Sequence, residues 1–143
     1  MNYTRRDFGS LLPAFAAATV TTSQTSALPS KTYAFDDLPV RSNGANKTRA
    51  VLDGNTHKGF PVEMHITELA PGLPPHPPHR HAHEEMIMIR EGMLEVTIAG
   101  HITKLGPGSV AYVASFEEHG WRNAGTTRAQ YFVLALGREN ART

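Results

Sequence analysis

The 143-residue sequence has no cysteine. Disulfide stapling, thiolate ligation and a cysteine nucleophile are therefore excluded, and any metal must be held by imidazole nitrogen and carboxylate oxygen. The net charge is only +1 with histidine neutral, and no basic patch interleaved with aromatics is present, which argues against a nucleic-acid partner. Long hydrophobic runs are also missing. The longest, Leu11 to Val20, is too short to span a bilayer as a helix. No segment keeps helical period over a useful length, and neither an internal repeat nor a second domain is evident.

What is abundant is turn-forming residues and histidine. Gly 12 and Pro 10 suit many short strands rather than a helix bundle. Of the eight histidines, four lie between His76 and His83, a density that random scatter rarely produces.

Residues 1–27 read as a targeting segment. Thr4-Arg5-Arg6-Asp7-Phe8 precedes the apolar stretch, and Thr25-Ser26-Ala27 is an acceptable small-x-small cleavage site, with Ala16-Ala17-Ala18 as a second candidate. Paired arginines, one further residue and a phenylalanine ahead of a weakly apolar run resemble the twin-arginine export motif. That resemblance implies an exported, periplasmic protein that folds, and loads any cofactor, before translocation. Contact with a membrane would then be made only by this segment, whose retention as an anchor is the alternative. Without residues 1–27 the formal charge is zero, so the slight basicity belongs to the signal.

The remainder divides into an N-terminal arm with the first strands (28–58), a barrel (59–138) and a short tail (139–143). The arm is turn-rich, with a short strand expected near Tyr33–Phe35. Strands are expected at Thr48–Leu52 and Val62–Leu69, where Val62, Met64 and Ile66 alternate with Glu63, His65 and Thr67 in the manner of a half-buried strand. Asp53-Gly54 and Pro71-Gly72 are turn signals. Further strands follow at Glu85–Arg90, Met93–Ala99, Ile102–Leu105, Ser109–Val113, His119–Asn123 and Arg128–Leu136. Turns recur every eight to twelve residues, the signature of an all-β sandwich or barrel. A jelly-roll barrel closes the sheet edges. Met86, Met88 and Met93 read as core filler.

Two stretches carry chemistry. Residues two apart share a strand face, so His79, His81, His83 and Glu85 would face one way if His79–Glu85 were fully extended. A bend there keeps all four from reaching one ion. Downstream, Gly106-Pro107-Gly108 precedes His119 and Asn123, and a barrel can fold His119 over the same interior point. His76 belongs to the proline loop of Pro74, Pro75, Pro77 and Pro78 and is expected in solvent. His57, His65 and His101 are expected on the surface, Glu84 as a solvated neighbour, and Arg90 and Arg122 pointing outward. Ile87 and Ile89 share parity with Glu85 and would floor the pocket. Trp121 and Asn123 share parity with His119, Trp121 as pocket lining or core and Asn123 as a positioning residue.

These stretches resemble the two motifs of the cupin superfamily. In the first, Gly72, His79, His81, Glu85 and Gly92 fall at the expected intervals; in the second, Gly100, Pro107, Gly108, His119 and Asn123 follow in order, with one extra residue after Gly100 and a longer stretch of ten residues between Gly108 and His119. The resemblance spans roughly residues 60–137. It implies a double-stranded β-helix, or jelly-roll, barrel with His79, His81, Glu85 and His119 as ligands to one divalent transition metal ion, and His83 beside them. Three neutral imidazoles and one carboxylate leave such an ion a charge near +1 with open positions. Mn or Fe suits this octahedral mixed N/O site best, with Ni, Co, Cu and Zn as alternatives. The expected function is that of a small-molecule metalloenzyme of dioxygenase-like, oxalate-processing or isomerase chemistry, with Glu85 able to double as proton acceptor. The alternative is a non-catalytic periplasmic module that binds a metal or a small organic ligand. Cupin barrels often pair through edge strands, which makes a homodimer with an exchanged arm a further expectation.

Overall fold

The computed structural model describes residues 27–138. The expected signal segment, apart from Ala27, and the tail lie outside the described residues. A single 3-10 turn, Phe35–Asp37, precedes nine strands: β1 (Val40–Asn43), β2 (Asn46–Asn55), β3 (Pro61–Leu69), β4 (Glu84–Glu91), β5 (Leu94–Ile98), β6 (His101–Leu105), β7 (Val110–Val113), β8 (His119–Asn123) and β9 (Ala129–Leu136). All pair antiparallel, in a six-stranded sheet of order β1-β2-β3-β9-β4-β7 and a three-stranded sheet of order β6-β5-β8. The result is an all-β jelly-roll barrel whose two layers face each other across one core.

The core follows from strand parity. On β4, Ile87 and Ile89 alternate with half-buried Met86 and Met88; on β9, Ala129, Tyr131 and Val133 lie on the same side. With Leu69 and Ala111 they meet Leu94 and Val96 of β5 and Trp121 of β8. Burying a large apolar side chain there contributes roughly 1.5–3 kcal/mol.

Several local expectations are corrected. Tyr33–Phe35 is not a strand; the chain turns at Phe35–Asp37, where the Phe35 ring lies under the Arg49 and Arg90 guanidinium groups at 4.3 and 5.2 Å. Strand β1 was not expected, because its stretch carries no apolar alternation. Asp53-Gly54 is not a turn but lies within β2, which runs on to Asn55; the reversal comes at Thr56–Phe60, closed by Thr56 N–H to Phe60 O at 2.8 Å. Gly54 is needed there for packing, since a Cβ would meet the Leu28 side chain at 2.8 Å. Met93 is exposed rather than core, and Met86 and Met88 sit on the outer side of the sheet.

The most consequential correction concerns β3. Thr67 is paired with Tyr131 and His65 with Val133, so the polar set Glu63, His65 and Thr67 faces inward, while Val62, Met64 and Ile66 face out. His65 is accordingly half-buried and held by Glu63 at 3.0 Å, not a surface residue.

Gly92 ends β4 at φ +80°, and a Cβ there would come within 2.6 Å of the Ala129 Cα. Gly100 also has positive φ, in the two-residue Ala99-Gly100 hairpin, but with nothing within 4 Å. Gly92→Ala is expected to cost about 3 kcal/mol from strain plus collision, and Gly100→Ala about 1 kcal/mol from the backbone alone. Urea midpoints of the two variants check the difference; equal midpoints would contradict it.

Candidate metal centre

The histidine-bearing segments are joined by their own backbones. His79 N–H donates to His119 O, and His119 N–H to His79 O, both at 3.0 Å, an isolated antiparallel bridge beside β8. A paired bridge of this kind brings opposite residues close. The ring centroids of His79 and His119 are 4.7 Å apart, those of His81 and His119 4.6 Å, and those of His79 and His81 5.0 Å. One donor atom of each ring lies within 4.8 Å of the others, so the three could hold a metal ion.

Glu85 enters from the opposite sheet at the start of β4. Its Oε2 lies 3.2 Å from both His81 Nε2 and His119 Nε2. The histidine tautomers are set by carbonyls: His81 Nδ1–H donates to His83 O at 2.7 Å, and His119 Nδ1–H to Glu117 O at 2.9 Å. With Nδ1–H committed to a carbonyl, each ring turns its Nε2 inward toward Glu85. His119 Nε2 and His79 Nδ1 are buried with no hydrogen-bond partner. Buried ring nitrogens without a partner, gathered around a carboxylate oxygen, are a donor set that fits a divalent metal ion.

The neighbouring turn clamps His81. Phe116 N–H donates to His81 O at 2.8 Å, and the Ser115 hydroxyl donates to Ala82 O. Phe116 adopts φ +62°, a left-handed conformation that costs a non-glycine residue free energy and is held here against the ligand loop.

The remaining expected residues fall around this group. His83 stacks flat on His81, centroids 3.6 Å apart, and so lies against the His81 ring rather than within the histidine cluster. Trp121 stacks behind His119 at 5.7 Å. Ile87 and Ile89 lie in the core on the Glu85 side. Asn123 is fully buried and bonds only to backbone: its Nδ2 donates to Leu69 O and Thr127 O, and its Oδ1 accepts from Gly125 N–H. With Gly72 N–H bonded to Asn123 O and Asn123 N–H to Leu73 O, it staples the base of the proline loop. Glu84, Arg90 and Arg122 point away from the centre, Arg122 pairing with Glu95 at 2.9 Å. His57 and His101 are exposed.

One residue near the centre escaped the sequence reading, and one expected in solvent is exposed yet lies beside it. Tyr131 is buried and accepts from Trp121 Nε1 at 2.7 Å; burial raises its pKa well above the usual tyrosine range, so it stays a neutral phenol. Parity with the apolar Val133 could have flagged it, but nothing local ties it to Trp121. His76 is exposed, yet its ring edge lies 4.2 Å from His79.

Residues 65–135 match the family model described as a cupin domain. No curated protein sequence matches the chain. Among solved structures, an RmlC-like cupin from Shewanella frigidimarina superposes with TM-score 0.63 at 18% identity, over 78% of this chain and 95% of its own. The polyketide cyclase RemF from Streptomyces resistomycificus gives 0.66 at 19% identity, covering 78% and 82%. A predicted oxalate decarboxylase from Thermotoga maritima gives 0.63 at 16%, covering 72% and 96%. At such identities the likeness is one of fold.

Burial lowers the pKa of His79 from 6.5, reinforced by the adjoining His76, His119 and His81 rings and opposed by the Pro77 carbonyl. The unfolded chain therefore takes up this proton first, and folding stability declines as pH falls through the mid-sixes, levelling off below the folded-state value. For metal-free protein the urea midpoint should drop between about pH 7 and pH 6, and His79→Asn should flatten that slope. A slope unchanged in the variant would assign it to other groups.

Proposed function

Since residues 65–135 match the cupin-domain model, we propose that the chain is an exported cupin metalloprotein acting on a small molecule, with His79, His81, Glu85 and His119 as the ligand set. The observation that carries the reading is the convergence of the His81 and His119 Nε2 atoms on Glu85 Oε2 at 3.2 Å, with both tautomers locked by carbonyls. Support for export is the Arg5-Arg6 segment with its short apolar run.

A bound divalent ion would supply Lewis acidity and open positions for chelating oxygens, and the mixed imidazole and carboxylate donors favour Mn or Fe. The chain's own groups do the rest. Carbonyl-held imidazoles keep their donor atoms aimed without rearrangement. Ile87 and Trp121 limit water around them. Glu85, with no other acid in the donor cluster, is the group placed to accept a proton from a bound substrate at Oε2. The reaction class proposed is dioxygenase-like or related oxalate-processing or isomerase chemistry. The solved fold relatives include a polyketide cyclase and a predicted oxalate decarboxylase, which keeps that range broad.

Elemental analysis of protein prepared without added metal should find one equivalent of a transition metal, and His81→Ala should abolish it. Restoring Mn(II) or Fe(II) to chelated protein should raise stability by about 2.7 kcal/mol at a hundredfold excess over Kd. Unchanged metal content in His81→Ala would overturn the ligand set. Oxygen uptake with catechols, β-diketones, flavonols and oxalate then tests turnover; tight binding of a panel member with no turnover would make the protein a binding module instead.

A further inference from the structure

Strand β3 turns Glu63, His65 and Thr67 toward the interior, and the core takes up only Thr67, which bonds to the Tyr131 hydroxyl. Half-buried Glu63 and His65 instead line a cavity of about 650 Å³. Among the described residues that line it, none is His79, His81, Glu85 or His119. In register Glu63 lies two strands from Glu85, across Ala135. The neighbouring strands complete the floor: Ala50 stands opposite His65, Asp53 opposite Glu63, and Thr48 opposite Arg41. The bulge after Ala50 bends β2 here and sets apolar Val51 in the lining. A cavity of this size suits a small molecule.

The side of the cavity is the arm, and the arm is tied at two points. At the first, Leu28 N–H donates to Asn55 O at 2.8 Å, and the Leu28 side chain lies over Gly54, where a Cβ would meet it at 2.8 Å. At the second, the Phe35 ring is held by the Arg49 and Arg90 guanidinium groups. Lys31, Thr32 and Tyr33 line the cavity between these anchors, with the Lys31 ammonium 5.3 Å from the Tyr33 ring centroid.

The polar groups of the lining are largely paired with one another. His65 Nδ1–H donates to both Glu63 oxygens, at 3.0 and 3.1 Å. This fixes the carboxylate, yet each oxygen keeps a lone pair and the ring keeps Nε2 for a ligand. Asp53 pairs with Arg138 at 3.6 Å. Formal charges balance, since Lys31, Arg41 and Arg138 offset Asp37, Asp53 and Glu63. The lining therefore offers fixed hydrogen-bonding groups and little net charge, beside the apolar Ala50 and Val51. An anion would meet Glu63 and Asp53, a cation would meet Lys31 and Arg41, and an apolar ligand would strand the Glu63 carboxylate away from water. A neutral compound with adjacent hydroxyls and a hydrocarbon face meets every one of these groups. We propose that this cavity is a second binding site, separate from the metal centre, for a neutral polyhydroxylated ring (a sugar or cyclitol) whose vicinal hydroxyls bond to Glu63 and to His65 Nε2. The site needs no bound metal ion.

Calorimetric titration and amide shifts of the full chain test it, with D-glucose, D-galactose and myo-inositol as neutral probes and D-galacturonate and choline as charged ones. At least one neutral probe should bind with a dissociation constant of about 1 mM or tighter, shifting the amides of Tyr33, Ala50, Glu63 and His65. Chelator-treated protein should bind it equally, whether or not the metal assignment holds. Glu63→Gln should weaken binding about tenfold by replacing a charged acceptor. Ala50→Leu should weaken it by a similar factor by filling the floor, with circular dichroism unchanged and the Glu63–His65 pair intact. The absence of saturable binding by every neutral probe would overturn the proposal, as would Ala50→Leu binding like wild type. Loss of binding on chelation would place the probe at the metal centre instead, and tighter binding of galacturonate or choline than of the neutral probes would refute the ligand class.

Discussion

The two backbone hydrogen bonds between His79 and His119 are the constraint on which the candidate site depends. Forty residues separate these positions, and side-chain chemistry alone cannot align them. Once each N–H finds the other's carbonyl at 3.0 Å, the two imidazoles must stand side by side, and His81 follows two residues later. The bridge also extends the smaller sheet by one ladder rung toward the proline loop, whose base is stapled by Asn123 and by Asn46, which donates to Pro74 O and accepts from Ala70 N–H. Buried amides that satisfy only backbone groups rigidify a loop cheaply, because each lost rotamer is offset by two or three bonds that the loop could not otherwise make.

Around that frame the donor atoms are oriented by carbonyls rather than by other side chains. His83 O and Glu117 O each take a ring N–H, and the rings have no freedom left to turn their lone pairs away from Glu85. The left-handed Phe116 is part of the same arrangement, since its N–H reaches the His81 carbonyl only in that turn. Local backbone strain is thus held where it fixes a ligand loop, and the ordinary packing of Leu69, Leu94, Tyr131 and Val133 holds it in place.

The six-stranded sheet shows two chemistries on its two sides. Toward the centre, β3 presents Glu63, His65 and Thr67, and β4 presents Glu85 before its isoleucines. Away from it, methionine, leucine and phenylalanine side chains form a field bounded by Glu84 and Arg90. A barrel that must place polar donors inside at one end has to turn some of its apolar residues outward. Those residues then face either water or another protein surface.

Much was legible from the residues themselves: the strand-and-turn rhythm, the positions of β4 to β9 within a residue or two, and the three histidines that the fold brings together. These are local properties, carried by period-two alternation, by glycine at Gly92 and Gly100, and by histidine spacing. What only the tertiary structure decided is which face of β3 is inside, that Gly54 continues a strand, that Tyr131 stands behind Trp121, and that His83 stacks on the His81 ring rather than joining the cluster. The reason is physical. Alternation defines two faces but does not say which one the barrel closes over when both carry apolar residues. A tautomer, likewise, is set by whichever carbonyl the folded chain brings to the ring, and that carbonyl exists at that point in space only after distant strands have paired.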